Sequence, residues 1–372
     1  MSARKLAEWH AAGLIDAATR DRLAAYETAH ARPLAVWAVY GIGALAIGLG
    51  LVSVVAANWE EIPGLLRLAV HLALIAGLLA GLFLREQQLA ERSPWAAEAL
   101  VFVTAALGLT FFGHLGQVYQ TASPLWQPLA AWLALFAPLL LLTGRSWPTA
   151  LAVLGGMVWC VWDYAAAGRY FDDGFITALP VLLAPLAAAM RARSERPVFW
   201  RRLEQLALAY AVAAASAACA LASADGFDQN DGGIIGVSML VAGAVAVVAG
   251  GGVIAVRRGL SGRMAGAIII GAGAALPLAD IVNDRTLAAA LLFMLLWSGI
   301  AAAALAAQWR GVFQLAVGVI ALRLIALSFE LAGDLLTSGF GLIAAGVMIL
   351  GVAWGAVRVS RRFAPDAQES GA

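Results

Sequence analysis

The chain has 372 residues, of which 62% are hydrophobic and only 13% charged, with a formal net charge of +1. A soluble globular domain carries about 25% charged residues, so this composition excludes that class and leaves a polytopic membrane protein. No basic tail or patch points to nucleic acid, and Cys160 and Cys219, the only cysteines, sit in apolar runs without metal or redox spacing.

Residues 1–32 read as a short helical pair. Leu6 and Trp9 share one face of a first helix, Gly13 ends it in a left-handed cap, and Asp16 is a good N-cap for a second helix carrying Leu23 and Tyr26. Pro33 stops the pair. Two helices this short cannot bury a core alone, so the pair is expected to pack on the membrane domain or on a partner.

About twelve spans follow, each close to the ~20 residues a bilayer requires. They are roughly 34–57, 64–84, 96–115, 126–143, 147–162, 174–190, 204–223, 234–256, 264–279, 287–307, 311–329 and 339–357. The fifth, sixth and ninth are short, and Gly144-Arg145-Ser146 is a tight boundary between the fourth and fifth. The expected fold is an all-α transmembrane bundle. Its parts are the helical pair (1–32), a first membrane half (33–190), a basic loop (191–203), a second half (204–357) and a polar tail (358–372).

Charge supports this map. Of the 24 Lys+Arg, all but Arg67, Arg169, Arg285 and Arg323 fall on one side if the spans alternate, while Glu60, Glu61, Asp172, Asp173, Asp225 and Asp280 fall on the other. The positive-inside rule places the basic side and both termini in the cytoplasm. Arginine, alanine and glycine usage suits a GC-rich bacterial genome, hence an inner-membrane location. Gly77/Gly81 and Gly351/Gly355 have the GxxxG spacing of close helix contacts.

Polar residues within apolar runs are costly and invite a functional reading. Arg67 and His71 stand four apart on the second span, below Glu60 and Glu61 in the preceding loop. The third span ends at the same surface with His114, Gln117 and Tyr119. These seven residues form a candidate outer polar cluster, either a proton- or solute-binding site with an imidazole able to titrate near neutral pH or polar packing between helices. Arg323 and Glu330, two turns apart on one helix, form a candidate buried ion pair. Glu98 and Glu204 each open a span, where the helix dipole favours an acid. Pro138, Pro180, Pro185 and Pro277 interrupt three spans, as in transporters with broken helices or as tolerated kinks. Asp163, Asp172 and Asp173 have the chemistry for a divalent cation but are expected to be solvated.

Enzyme motifs are missing: there is no HExxH, Walker A or dinucleotide fingerprint. Gly259-Leu260-Ser261-Gly262 spells the GxSG of rhomboid-type proteases, but it lies between arginines in a loop and no histidine follows His114 to act as base. No catalytic residue, metal or cofactor is expected.

The chain resembles a bacterial family of predicted membrane proteins, domain of unknown function 2157. The resemblance rests on Gly13-Leu14-Ile15-Asp16 with Arg22-Leu23, on Gly41-Ile42-Gly43-Ala44, on Ala56-Ala57-Asn58-Trp59-Glu60-Glu61-Ile62-Pro63, its most specific part, and on Gly116-Gln117-Val118-Tyr119. It covers about the first 150 residues and implies a multi-pass fold with no known activity. Two functions stay open: a permease-like transporter of a small solute, ion or proton, or a membrane scaffold or sensor whose helical pair recruits a cytoplasmic protein. Partners beyond the lipid bilayer would be that solute, that protein or a second copy in a homo-oligomer.

Overall fold

The computed structural model describes residues 3–30, 62–92, 94–120, 123–167, 173–224, 234–283 and 285–331, with isolated positions 347, 351 and 354. The chain divides into two compact units, Met1–Arg67 and Leu68–Ala372. In the first, α1 (Ala3–Ala11) and α2 (Ala17–His30) form the expected pair. Gly13 takes φ +70, a left-handed conformation that costs glycine little. It donates from its amide to His10 O at 3.0 Å, and Leu14 N donates to Trp9 O at 3.0 Å, so the last carbonyls of α1 are met. Asp16 Oδ1 accepts the Thr19 amide at 2.7 Å and caps α2.

The remaining helices are α3 (Gly64–Arg92), α4 (Pro94–Tyr119), α5 (Trp126–Thr143), α6 (Trp147–Ala167), α7 (Asp173–Ala178), α8 (Leu183–Arg193), α9 (Pro197–Ala224), α10 (Ile234–Val256), α11 (Leu260–Ile281), α12 (Thr286–Ala306) and α13 (Arg310–Leu331). The described residues hold ten stretches long and apolar enough to cross a membrane. They match the second to eleventh expected spans; the first (34–57) and the twelfth (339–357, apart from its isolated positions) lie outside the described residues.

Three spans expected to be short are full length: Trp147–Ala167 has 21 residues, Gly174–Arg193 has 20 and Leu260–Ile281 has 22. Their ends carry polar residues such as Asp163 and Arg263, which helices accept at the interface although an apolar-run reading stops before them. Similarly, α9 begins at Pro197, since proline at the first helical position has no amide to leave unmet. Within the expected 191–203 loop, only 194–196 lie between helices.

The prolines act differently from one another. Pro138 and Pro277 lie inside continuous helices α5 and α11. Among the described spans only the sixth is broken: Leu179–Leu182, carrying Pro180, is a 3-10 turn joining α7 to α8. That broken span lies along α10, where a Cβ on Gly252 would stand 3.0 Å from Pro185 Cβ.

Backbones approach closely between α10 and α11. A Cβ on Gly243 would stand 2.5 Å from Gly273 O, and one on Gly250 would stand 2.7 Å from Gly266 O. The pairs 243/273 and 250/266 run in opposite directions, so the helices are antiparallel with glycines two turns apart on each. Proline chemistry contributes: Pro277 has no amide to offer Gly273 O, the carbonyl that faces Gly243. Gly77, Gly81 and Gly351, by contrast, would meet nothing within 4 Å, so within the described structure the GxxxG spacings are not the glycine contacts. Core residues such as Ala249, Val253, Ile269 and Ala272 fill the seam around the glycines.

Two outcomes are expected. Gly250→Val should lower stability in detergent by about 1–3 kcal/mol through overpacking, with Gly77→Val within about 0.5 kcal/mol of the parent, read as thermal unfolding. The second concerns Asp16, whose carboxyl is held below its ordinary range by hydrogen bonds from the Thr19 hydroxyl and amide. A depressed folded pKa means that the cap's support is present at neutral pH and is lost as pH falls through that pKa. Hydrogen-exchange protection at the start of α2 should fall with acidification, and Asp16→Ala should remove that pH dependence.

Candidate functional site

His71 on α3 and His114 on α4 meet. Their Nδ1 atoms lie 3.4 Å apart, and His71 Nε2 lies 3.0 Å from Leu107 O. A carbonyl only accepts, so His71 carries its proton on Nε2 and, when neutral, its lone pair on Nδ1. His114 must then donate from Nδ1, which leaves its own lone pair on Nε2. The geometry thus fixes opposite tautomers on the two rings. Thr110 Oγ1 donates to the same Leu107 O at 3.0 Å, and Phe111 presents its ring edge-on to His71 with centroids 5.5 Å apart. His114 is buried at 8% exposure, and His71 is half-buried.

Arg67 donates from Nε to Ile62 O at 2.7 Å, a local bond at the start of α3. Gln117 and Tyr119 are exposed on the last turn of α4. Glu60 and Glu61 lie outside the described residues.

Arg323 is 7% exposed. Its guanidinium donates to Ser223 Oγ in the last turn of α9 and sits 5.8 Å from the centroid of the Phe293 ring on α12. Ser223 Oγ in turn donates to Thr286 O at 3.4 Å. Arg323 therefore ties α13 to the end of α9 and, through Ser223 and Phe293, to α12. The Glu330 side chain, its expected partner, lies outside the described residues.

A second polar centre was not singled out as a site from the sequence. Glu98 and Glu204 were read as acids favoured at their own helix starts; instead, each serves other helices. Glu98, on α4, accepts Arg145 N at 3.0 and 2.9 Å through its two oxygens, Ser146 N at 2.9 Å and Thr149 Oγ1 at 2.7 Å, and so caps α6. Glu204, 3% exposed on α9, pairs with Arg257, just past the end of α10, at 2.6 Å and with Arg191 of α8 at 3.4 Å. Arg257 also reaches Ser261 on α11 at 2.9 Å. Arg196 closes the end of α5, donating to Gly144 O and Leu141 O, both at 2.8 Å. The signal in the sequence is an acid where a basic, interface-level stretch gives way to an apolar run; the identity of the helix it serves is invisible without the fold. At the opposite ends, Asp163 Oδ2 accepts the Trp126 amide at 2.7 Å and caps α5, so one of the three candidate cation ligands already has a structural task.

The broken span is fixed by a relay. Trp162 Nε1 donates to Tyr210 Oη at 2.9 Å, and Tyr210 Oη donates to Thr177 O at 2.6 Å, one turn before the 3-10 segment. A backbone carbonyl beside the break thereby receives a side-chain donor.

Over residues 7–149 the chain matches the model of a family described as predicted membrane protein (DUF2157). That stretch contains His71, His114, Glu98 and the Arg145 turn, and stops before Glu204 and Arg323. No curated protein and no solved structure matches the chain.

Glu98→Ala should destabilise the protein by about 3 kcal/mol or more, because three buried donors lose their acceptor, with Glu98→Gln intermediate, read from chemical unfolding in detergent. Nitrogen-15 spectra of the labelled histidines should show His71 as the Nε2–H tautomer and His114 as the Nδ1–H tautomer; the same tautomer on both would contradict the pairing.

Proposed function

We propose that this multi-pass membrane protein is a permease-like transporter in which the His71–His114 pair binds the coupling proton. The observation that carries the reading is the 3.4 Å approach of the two Nδ1 atoms. With the tautomers above, the Nδ1–H···Nδ1 bond couples the two rings, so one added proton belongs to the pair. A second would have to enter on His71 Nδ1, which already faces a donor, and would set two positive rings side by side. The proline-broken span alongside α10 supports the same reading, since interrupted helices supply movable backbone in transporters. The arginine-rich ends are placed in the cytoplasm of a bacterial inner membrane, following the asymmetry of charge.

A proton jump applied to proteoliposomes on a solid-supported membrane tests this. The wild type should give a transient charge displacement, and His71→Gln and His114→Gln, at normal abundance, should abolish it. An unchanged displacement in both variants would overturn the proposal, as would loss of folded protein in both, which marks the pair as packing.

One observation favours the scaffold reading as a second possibility. On the N-terminal pair, Trp9 is 37% exposed, Tyr26 is 62% exposed and Leu14 is 72% exposed, a small apolar surface of the kind a protein partner covers. Deleting residues 1–32 separates the two: a transporter keeps its charge displacement, whereas a scaffold loses a co-purifying protein.

A further inference from the structure

We propose that the turn between α5 and α6 is a binding site for the headgroup of an anionic phospholipid. The inference does not depend on the transport reading. The turn is held on both sides. Arg145 N is bound to both oxygens of Glu98, and Arg145 O accepts from Arg202 Nη1 at 2.6 Å. With its backbone fixed at both groups, Arg145 presents an exposed side chain from a rigid support.

The charge there is not neutralised. Arg191 and Arg257 share Glu204, but Arg145 and Arg202 have no carboxylate partner for their guanidinium groups among the described residues. Glu98, the carboxylate at the turn, is 8% exposed and its oxygens are occupied by the donors of the turn itself. Two guanidinium groups thus stand at one membrane-level turn with no anion of their own. Arg202 spends one of its N–H groups on Arg145 O and keeps the others.

The surroundings select a lipid over free phosphate. The Arg202 guanidinium carbon lies 5.6 Å from the centroid of the Trp147 ring, and Trp147 is 47% exposed at the first position of α6. Tryptophan at a helix end marks the headgroup level of a bilayer. Leu151, one turn further into the membrane on the face of Trp147, is 56% exposed, and Leu142 at the end of α5 is 73% exposed. A phosphate on Arg145 and Arg202 would let its acyl chains run down over Trp147 and these leucines. Basic groups between helices at a membrane surface are the arrangement that recognises anionic lipids.

Native mass spectrometry of the full chain in neutral detergent, with phosphatidylglycerol or phosphatidylcholine added, tests the site. The wild type should prefer phosphatidylglycerol, and Arg145→Gln should weaken that preference about fivefold, the effect of one arginine at a charged surface. The Arg145 side chain makes no hydrogen bond or ion pair among the described residues, so the variant's unfolding temperature should match the parent's. Trp147→Ala, which removes the ring under Arg202, should weaken binding as well. Arg263→Gln, at another exposed arginine on the same face, should retain wild-type preference. The proposal fails if Arg145→Gln and Trp147→Ala bind as the wild type does, if Arg263→Gln loses as much as Arg145→Gln, or if millimolar inorganic phosphate displaces the lipid completely.

Discussion

Hydrocarbon offers no hydrogen bonds, and this protein answers that constraint at its helix ends. A bilayer-spanning helix satisfies its interior backbone by itself, but the first amides and last carbonyls of each helix need outside partners. Here those partners are long side chains from neighbouring helices. Glu98 supplies the start of α6, Arg196 the end of α5, Arg202 the turn between them and Asp163 the start of α5. Each capping bond is also a tether between helices, so end satisfaction and bundle assembly are one set of interactions.

This explains why the buried carboxylates Glu98 and Glu204 lie near the starts of their helices. Glu204 is nearly inaccessible yet stands between two arginines from different helices. Removing one member of such a group would leave the others desolvated without a partner, which costs more than the group contributes when complete. Deeper in the membrane the contacts change character. Between α10 and α11 no charge is available, and backbone-to-backbone approach through Gly243, Gly250, Gly266 and Gly273 supplies the packing. The histidine pair sits in between: polar enough to bond across helices, and able to do so without a permanent charge.

Much of the architecture could be read in the residues. Ten of the expected spans coincide with helices, the turn at Gly144-Arg145-Ser146 is real, and Gly13 and Asp16 end and start the N-terminal helices as local chemistry requires. For the site, His71 and His114 were singled out, and they do meet. Legibility failed where the answer depended on a partner distant in sequence. Glu98 lies 47 positions before Arg145, and Glu204 lies 53 before Arg257. The glycine seam was hidden for a related reason: a GxxxG pattern is a property of one helix, whereas glycine contact is a property of two.

The amino-acid sequence alone determined the solvent this chain lives in, the number and approximate limits of its described spans and their alternation, because those follow from apolar run length and from charges that cannot cross. Tertiary structure decided which helix each polar side chain serves, which ring nitrogen of His71 faces a carbonyl, and which arginines are left without an acid. Those outcomes turn on separations of about 3 Å between atoms far apart along the chain, and no local rule of periodicity, capping or charge placement carries that information.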